Sequence, residues 1–190
     1  MEILSTSILG LFEVCLKARE DERGYFMRTY DKAIFRENGL QTEWIQENQS
    51  LSVLEGTLRG LHFQRPPHAE TKLVRALAGR LIDVAVDLRA GSKTFGCHHA
   101  VELSAANRKC LYIPKGFAHG FFTLERNTIV AYKVDHPYTP EAESGVLWSD
   151  SRIAIRWPGT PQLISDKDEK LPELNSLQPL VLEAAEGIDS

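Results

Sequence analysis

The densest group of chemically capable side chains is the run Leu58-Arg59-Gly60-Leu61-His62-Phe63-Gln64, followed by Lys72. In a regular strand Arg59 and His62 point to opposite faces, because side chains alternate. Gly60 is where a bulge could bring both to one side. An arginine, a histidine and a lysine on neighbouring strands would then form an anion site beside a titratable base. The same spacing also fits a surface strand with solvated charges.

Three further groups carry polar chemistry. In Ile113-Pro114-Lys115-Gly116-Phe117-Ala118-His119-Gly120-Phe121, His119 sits among aromatic and small residues in what reads as a tight loop, where a hydrogen-bonded structural histidine is common. In Ala131-Tyr132-Lys133, Tyr132 shares a strand face with Val130 and Val134, the pattern of a core tyrosine. Ser165-Asp166-Lys167-Asp168 reads as a solvated turn or a helix cap. Singly, none of these is specific. Their combination is.

The elements that must position these groups are mostly strands. In Leu81–Leu88, Ile82, Val84, Val86 and Leu88 share one face, with Asp83, Ala85 and Asp87 on the other. A similar strand is predicted over Thr71–Ala78, with Gly79-Arg80 as a tight reversal between the two. Ala100–Leu103, Cys110–Ile113, Gly120–Leu124 and Thr128–Val134 read likewise. Many short strands with frequent turn signals predict an all-β sandwich or barrel, most naturally a jelly roll. Helical pattern is confined to a short segment over Asp31–Asn38, closing at Gly39, and to Pro172–Glu186, which reads as helical or frayed.

Bulk properties narrow the function. A chain of 190 residues fits one domain, read here as 1–172 with a C-terminal tail over 173–190. Its net charge of −4 gives no general attraction to nucleic acid or an anionic membrane, though a local basic pocket for a small anion is compatible with it. Cys15, Cys97 and Cys110 are odd in number and unrelated in spacing, so no disulfide framework is expected. No apolar run approaches the roughly 18 residues of a membrane span, and the first residues lack a signal-peptide pattern. The expectation is a cytoplasmic protein.

Read together, the motifs resemble the dTDP-4-dehydrorhamnose 3,5-epimerase family. The matching strings are Asp21-Glu22-Arg23-Gly24, Trp44-Ile45-Gln46-Glu47-Asn48, Leu58–Gln64 with Lys72-Leu73-Val74-Arg75, and Asp83–Arg89. Gly91–Gly96, Leu103-Ser104-Ala105, Ile113–Phe121, Tyr132-Lys133, Trp148-Ser149-Asp150 and Ser165–Asp168 follow in family order. The resemblance implies a cupin-type jelly roll with short peripheral helices, working as a homodimer on a dTDP-linked 4-keto-6-deoxy sugar. It implies no cofactor, no metal, no nucleic acid and no membrane.

By position, His62 resembles the family's general base and Asp168 its orienting carboxylate. Tyr132 resembles the general acid, and Lys72 the cation that stabilises the enolate oxygen. Arg23, Gln46, Asn48, Arg59, His119, Tyr138, Glu143 and Lys167 correspond to residues that hold the sugar, diphosphate or nucleobase, or buttress those that do. Asp83 corresponds to a partner behind His119. The chain departs from the family at Arg19, where an aromatic usually reaches a neighbouring subunit's base, and at His98-His99, Thr128-Ile129 and Pro137. The departures other than Arg19 are expected near the sugar end or on the strand that carries the acid.

The chemistry implied is coherent. A carbon-bound proton beside a ketone is far less acidic than imidazolium, whose reference pKa is about 6.5. Its removal therefore needs a cation where the enolate charge develops. Inversion also needs a proton donor on the opposite face, which a tyrosine hydroxyl supplies at neutral pH. Net redox change is zero, and the chain has no GxGxxG fingerprint.

Within the family, the alternative is a mono-epimerase that inverts only C-3 or only C-5 of a related nucleotide-linked 4-keto-deoxysugar. Two readings outside the family also compete. One is a metal-dependent cupin oxygenase using His62, His68, Glu70 and His119. Against it, Gln64 takes the second position of the usual His-x-His pair, and Lys72 would repel a dication. The other is a catalytically silent sugar-binding cupin, which has no need of a matched base and acid.

Overall fold

The computed structural model describes residues 1–182. In chain order its strands are β1 (Glu2–Ser5), β2 (Phe12–Cys15), β3 (Ala18–Asp21), β4 (Gly24–Met27), β5 (Gln46–Ser52), β6 (Leu58–Gln64) and β7 (Lys72–Ala78). They continue with β8 (Arg80–Asp87), β9 (His98–Ser104), β10 (Lys109–Ile113), β11 (Phe117–Thr123), β12 (Thr128–Val134) and β13 (Glu143–Gly145). Two short α-helices, α1 (Lys32–Glu37) and α2 (Asp166–Glu169), lie at the periphery.

Two antiparallel sheets form the body, in the orders β1-β2-β10-β7-β12-β5 and β13-β6-β11-β8-β9. A separate hairpin pairs β3 with β4. This is the expected all-β sandwich of cupin-like type. Strands β7 to β10 and β12 appear where the sequence predicts them. Strand β11 begins earlier than predicted, at Phe117, so His119 lies within a strand rather than in a tight loop. Its small neighbours Ala118 and Gly120 make room for flanking strands rather than for a turn.

The Gly79 reversal also differs from a hairpin. Strands β7 and β8 belong to different sheets, so the turn crosses from one layer to the other. Gly79 has φ +70°, and a Cβ there would collide with Thr128. Crossing at this point leaves β7 between β10 and β12, and β8 between β9 and β11.

Three apolar clusters hold the layers. Val74, Val130 and Leu111 of the first sheet meet Leu81, Ala85 and Phe121 of the second. On the outer face of the second sheet, Val84, Val86 and Leu88 pack under Val146, Ile153, Leu174 and Leu180. Both faces of β8 are therefore covered, and the small and acidic face that carries Asp83 looks into the sandwich. Outside the first sheet, Phe35 of α1 and Leu40 pack on Leu73 and Tyr112. Each such fully buried large side chain contributes roughly 1.5–3 kcal/mol.

Helix α1 matches its predicted span. The Asp31 side chain caps its start by accepting from the Ala33 and Ile34 amides, and Gly39 follows its end at φ +67°. In the C-terminal segment, the described part of 172–186 holds only a 3₁₀ turn at Leu174–Ser176 and a parallel bridge between Arg89 and Leu180. Residues 183–186 of that expectation lie outside the described residues.

Candidate active site

His62 stands at the centre of the site because β6 is bulged. Against β11 the pairing runs His119 with His62 and then Phe121 with Arg59, so Gly60 and Leu61 together oppose Gly120. The extra residue brings Arg59 and His62 to the same cavity, as the spacing required. Only glycine fits at the bulge. Gly60 has φ +121°, and a Cβ would lie 2.6 Å from the Gly120 Cα and 2.8 Å from the His119 carbonyl oxygen.

Asp168 reaches His62 from the short helix α2. Ser165 caps that helix by accepting the Asp168 amide at 3.1 Å. The carboxylate is buried, with Oδ1 2.7 Å from His62 Nε2 and Oδ2 accepting the Gly60 N–H at 3.0 Å. Burial pushes this carboxyl up, but the bonds from His62 and the Gly60 amide outweigh it and hold the pKa below the usual value. An ionised partner on one nitrogen fixes the imidazole orientation and leaves the other nitrogen free to act.

The opposing wall comes from the first sheet. Lys72 opens β7 and Tyr132 lies in β12, with the Lys72 Nζ 5.9 Å from the centroid of the Tyr132 ring. Burial, and then the negative charge of Glu70, raise the Tyr132 pKa above the ordinary tyrosine value. Lys72 is buried and pairs with Glu70, its Nζ 2.9 Å from Oε1. Two adjoining cavities of about 500 and 270 Å³ share His62, Lys72 and Tyr132 as walls.

The larger cavity is also lined by Arg59, His119, Phe121 and Lys167. Arg59 is held by Ser52 Oγ and the Leu51 carbonyl, at 3.3 and 3.2 Å. His119 Nε2 lies 2.7 Å from Asp83 Oδ1, and both are buried. The other oxygen of Asp83 is buried with no partner among the described residues. Thus Asp83 does stand behind His119.

The smaller cavity is lined by Gln46, Asn48, Glu70, Tyr138 and Glu143. Glu143 Oε2 accepts from Lys167 Nζ at 2.7 Å and from the Tyr138 hydroxyl at 2.9 Å. Burial pushes Glu143 up, but Lys167 and Tyr138 more than offset this and lower its pKa. Gln46 Oε1 accepts the Tyr138 amide at 3.0 Å. This network ties β13 to α2, the helix that carries Asp168.

Of the site residues expected from sequence, Arg23 alone is remote from both cavities. It sits at the turn of the β3–β4 hairpin, is highly exposed, and pairs with Asp21. His98 and His99 are also away from the cavities, contrary to expectation. They lie on the edge strand β9 and bond the Ile153 carbonyl and Glu13, respectively. Glu70 is a cavity carboxylate that the sequence points to only as a candidate metal ligand. The signal for its pairing with Lys72 was the i, i+2 spacing.

The residues considered as metal ligands are otherwise engaged. His62 bonds Asp168, His119 bonds Asp83, Glu70 pairs with Lys72, and the His68 ring packs on His136. Among the described residues, no group of three His, Cys, Asp or Glu side chains is arranged to hold a metal ion. No described helix is long and apolar enough to cross a membrane.

Fold and site together define a class, an isomerase of the cupin-like jelly-roll type. The family profile described as dTDP-4-dehydrorhamnose 3,5-epimerase matches residues 5–176. The chain belongs to this family. It is 48% identical to dTDP-4-dehydrorhamnose 3,5-epimerase of Methanothermobacter thermautotrophicus over 168 residues, 87% of this chain and 90% of that protein. It is 44% identical to the Bacillus anthracis enzyme of the same name, solved with TDP and PPi bound. That match has a TM-score of 0.88 and covers 90% of this chain and 98% of the other. The Legionella pneumophila dTDP-6-deoxy-D-glucose-3,5-epimerase, in complex with dTDP-4-keto-L-rhamnose, superposes with TM-score 0.90 at 39% identity over 97% of this chain and 99% of that one.

Proposed function

We propose that the protein epimerises dTDP-4-keto-6-deoxy-D-glucose at C-3 and C-5, giving dTDP-4-keto-L-rhamnose. The observation that carries this reading is the site's two-sided build. The His62–Asp168 pair and the Tyr132 hydroxyl line one cavity from opposite sheets. Inversion needs that arrangement, because a proton leaves one face of the sugar ring and another arrives on the opposite face.

His62 is the base that removes the proton beside the ketone, and Asp168 orients it and stabilises its charged form. Lys72 faces the ketone oxygen, and its buried ammonium stabilises the enolate as its charge develops. Tyr132 then delivers a proton to the far face of the carbon. At C-3 and at C-5 the same groups act, since both carbons flank the one carbonyl. Electrons are neither gained nor lost overall, so the reaction calls for no redox cofactor.

The remaining residues fit a nucleotide sugar. Arg59, His119 and Lys167 supply donors around the larger cavity for sugar hydroxyls and diphosphate oxygens. Gln46, Asn48, Tyr138 and Glu143 offer an aromatic face and amide and carboxylate groups suited to a nucleoside. The ligands held by the Bacillus and Legionella relatives support this substrate class.

The active form in this reading is a homodimer in the cytoplasm. Tyr25 and Phe26 of the β3–β4 hairpin are 57% and 68% exposed, which puts apolar surface close in sequence to Arg23, and β5 is an open sheet edge with unpaired backbone. Arg23 then serves a neighbouring subunit's cavity rather than its own. Three free cysteines suit a reducing compartment. Incubation with dTDP-4-keto-6-deoxyglucose, followed by proton NMR of the product, tests the proposal. The L-rhamno configuration is expected, and recovery of unchanged substrate would refute it.

A further inference from the structure

Glu70 lies two residues before Lys72, just ahead of β7. Their charged atoms meet at 2.9 Å, with side chains only 12% and 10% exposed. A buried pair of this kind is costly unless it is well placed, and breaking it by removing one partner leaves an uncompensated charge. The second Glu70 oxygen lies 3.5 Å from Gln64 Nε2, whose amide also bonds the His68 and Pro137 carbonyls. The carboxylate is thus held from two sides at the wall of the smaller cavity, which Tyr132 also lines.

From this geometry we infer that Glu70 is a positioning residue: it anchors the Lys72 ammonium at the cavity wall and keeps the Tyr132 hydroxyl protonated. The inference rests on the epimerase reading given above. The charges around Tyr132 support it. Lys72 lies beside the ring and Arg59 and His62 line the same cavity, and each in its cationic form favours tyrosinate. Glu70 and Glu143 are the carboxylates lining the smaller cavity, and Glu143 is already bound by Lys167 and Tyr138. Asp168, in the larger cavity, is bound by His62, which leaves Glu70, the partner of Lys72, as the carboxylate set against the cation beside the ring. Burial raises the Tyr132 pKa most, and Glu70 raises it further.

The sign is definite. A negative charge near Tyr132 disfavours tyrosinate, so the donor stays protonated to higher pH. Removing that charge lets the donor ionise earlier. The alkaline limb of the kcat profile is then expected to move to lower pH in Glu70→Gln. The limb is expected to stay near its original position in Glu70→Asp, which keeps the charge but shortens the reach to Lys72. Both variants are expected to lose on the order of tenfold in kcat through Lys72, with a smaller change in KM.

The experiment is a pH–rate profile of wild type, Glu70→Gln and Glu70→Asp on dTDP-4-keto-6-deoxyglucose. It is paired with ultraviolet titration of tyrosinate in the same variants, with Tyr132→Phe as the assignment control. A downward move of both the limb and the Tyr132 titration in Glu70→Gln alone supports the inference. An unmoved limb with an unmoved titration overturns it, even if kcat falls, since a merely structural role would lower activity at every pH alike. The tyrosinate titration needs no turnover, so it reads the inference even in a variant of low activity. Failure of wild type itself to turn over would count against the epimerase reading instead, and the titration would still decide whether Glu70 acts on Tyr132.

Discussion

Asp168 Oδ1 lies 2.7 Å from His62 Nε2, while the other oxygen of the same carboxylate takes the Gly60 N–H at 3.0 Å. One carboxylate therefore fixes both the base and the bulge that presents it. Asp168→Asn is expected to keep the fold but lose the ionised partner. Its kcat should fall on the order of a hundredfold or more. His62→Ala should abolish turnover in a protein with an unchanged circular dichroism spectrum. Substantial activity in well-folded His62→Ala would remove His62 from the role of base, and undiminished activity in well-folded Asp168→Asn would remove Asp168 from the role of orienting it.

Tyr132→Phe separates the two halves of the reaction. Without the hydroxyl, His62 can still remove a proton and return it to the same face. The expected result is continued exchange of substrate hydrogen with solvent, alongside a large loss or a misdirection of inverted product. Mass spectrometry and NMR of the recovered sugar measure both. Normal product at a normal rate would make Tyr132 a packing residue.

Gly60→Ala tests the bulge. A methyl group there meets backbone of β11 at 2.6 and 2.8 Å, and φ +121° is strained for any L side chain. A loss of about 2 kcal/mol or more in unfolding free energy is expected, by denaturant titration. Activity should fall further than stability accounts for, because Arg59 and His62 would no longer share a cavity.

Much of this site was legible in the sequence. The glycine between Arg59 and His62 pointed to a bulge, and the alternation over β7, β8 and β12 gave the strands that carry Lys72, Asp83 and Tyr132. His119 was misread as a loop residue because Gly116 and Gly120 resemble turn signals, whereas Gly120 is small to let β6 approach. The Gly79 turn was legible as a reversal, but not as a crossover between sheets, since turn chemistry is local and sheet membership depends on distant strands. The Glu70–Lys72 pair was visible only as a spacing, because burial turns two ordinary surface residue types into one structural unit.

Acid should weaken the protein in part through Asp87. Burial opposes ionisation of this carboxyl, but hydrogen bonds from Arg89, Ser92 and Thr94 lower its pKa from 3.8 to about 2. A depressed folded pKa contributes stability above the unfolded value and loses it as pH falls through the folded one. The contribution is about 2 kcal/mol, present above roughly pH 4 and fading toward about pH 2. In unfolding titrations at a series of pH values, the gap between wild type and Asp87→Asn should narrow across that window. A constant gap would mean that Asp87 acts through packing rather than charge.

The most direct test of the central claim is turnover of dTDP-4-keto-6-deoxyglucose in deuterium oxide, with deuterium located by mass spectrometry and proton NMR. Two solvent deuterons in the product, one at C-3 and one at C-5, are the predicted result. A single deuteron would contradict inversion at both carbons. No deuterium at all, under conditions where a control epimerase labels the same substrate, would contradict proton abstraction by His62 altogether.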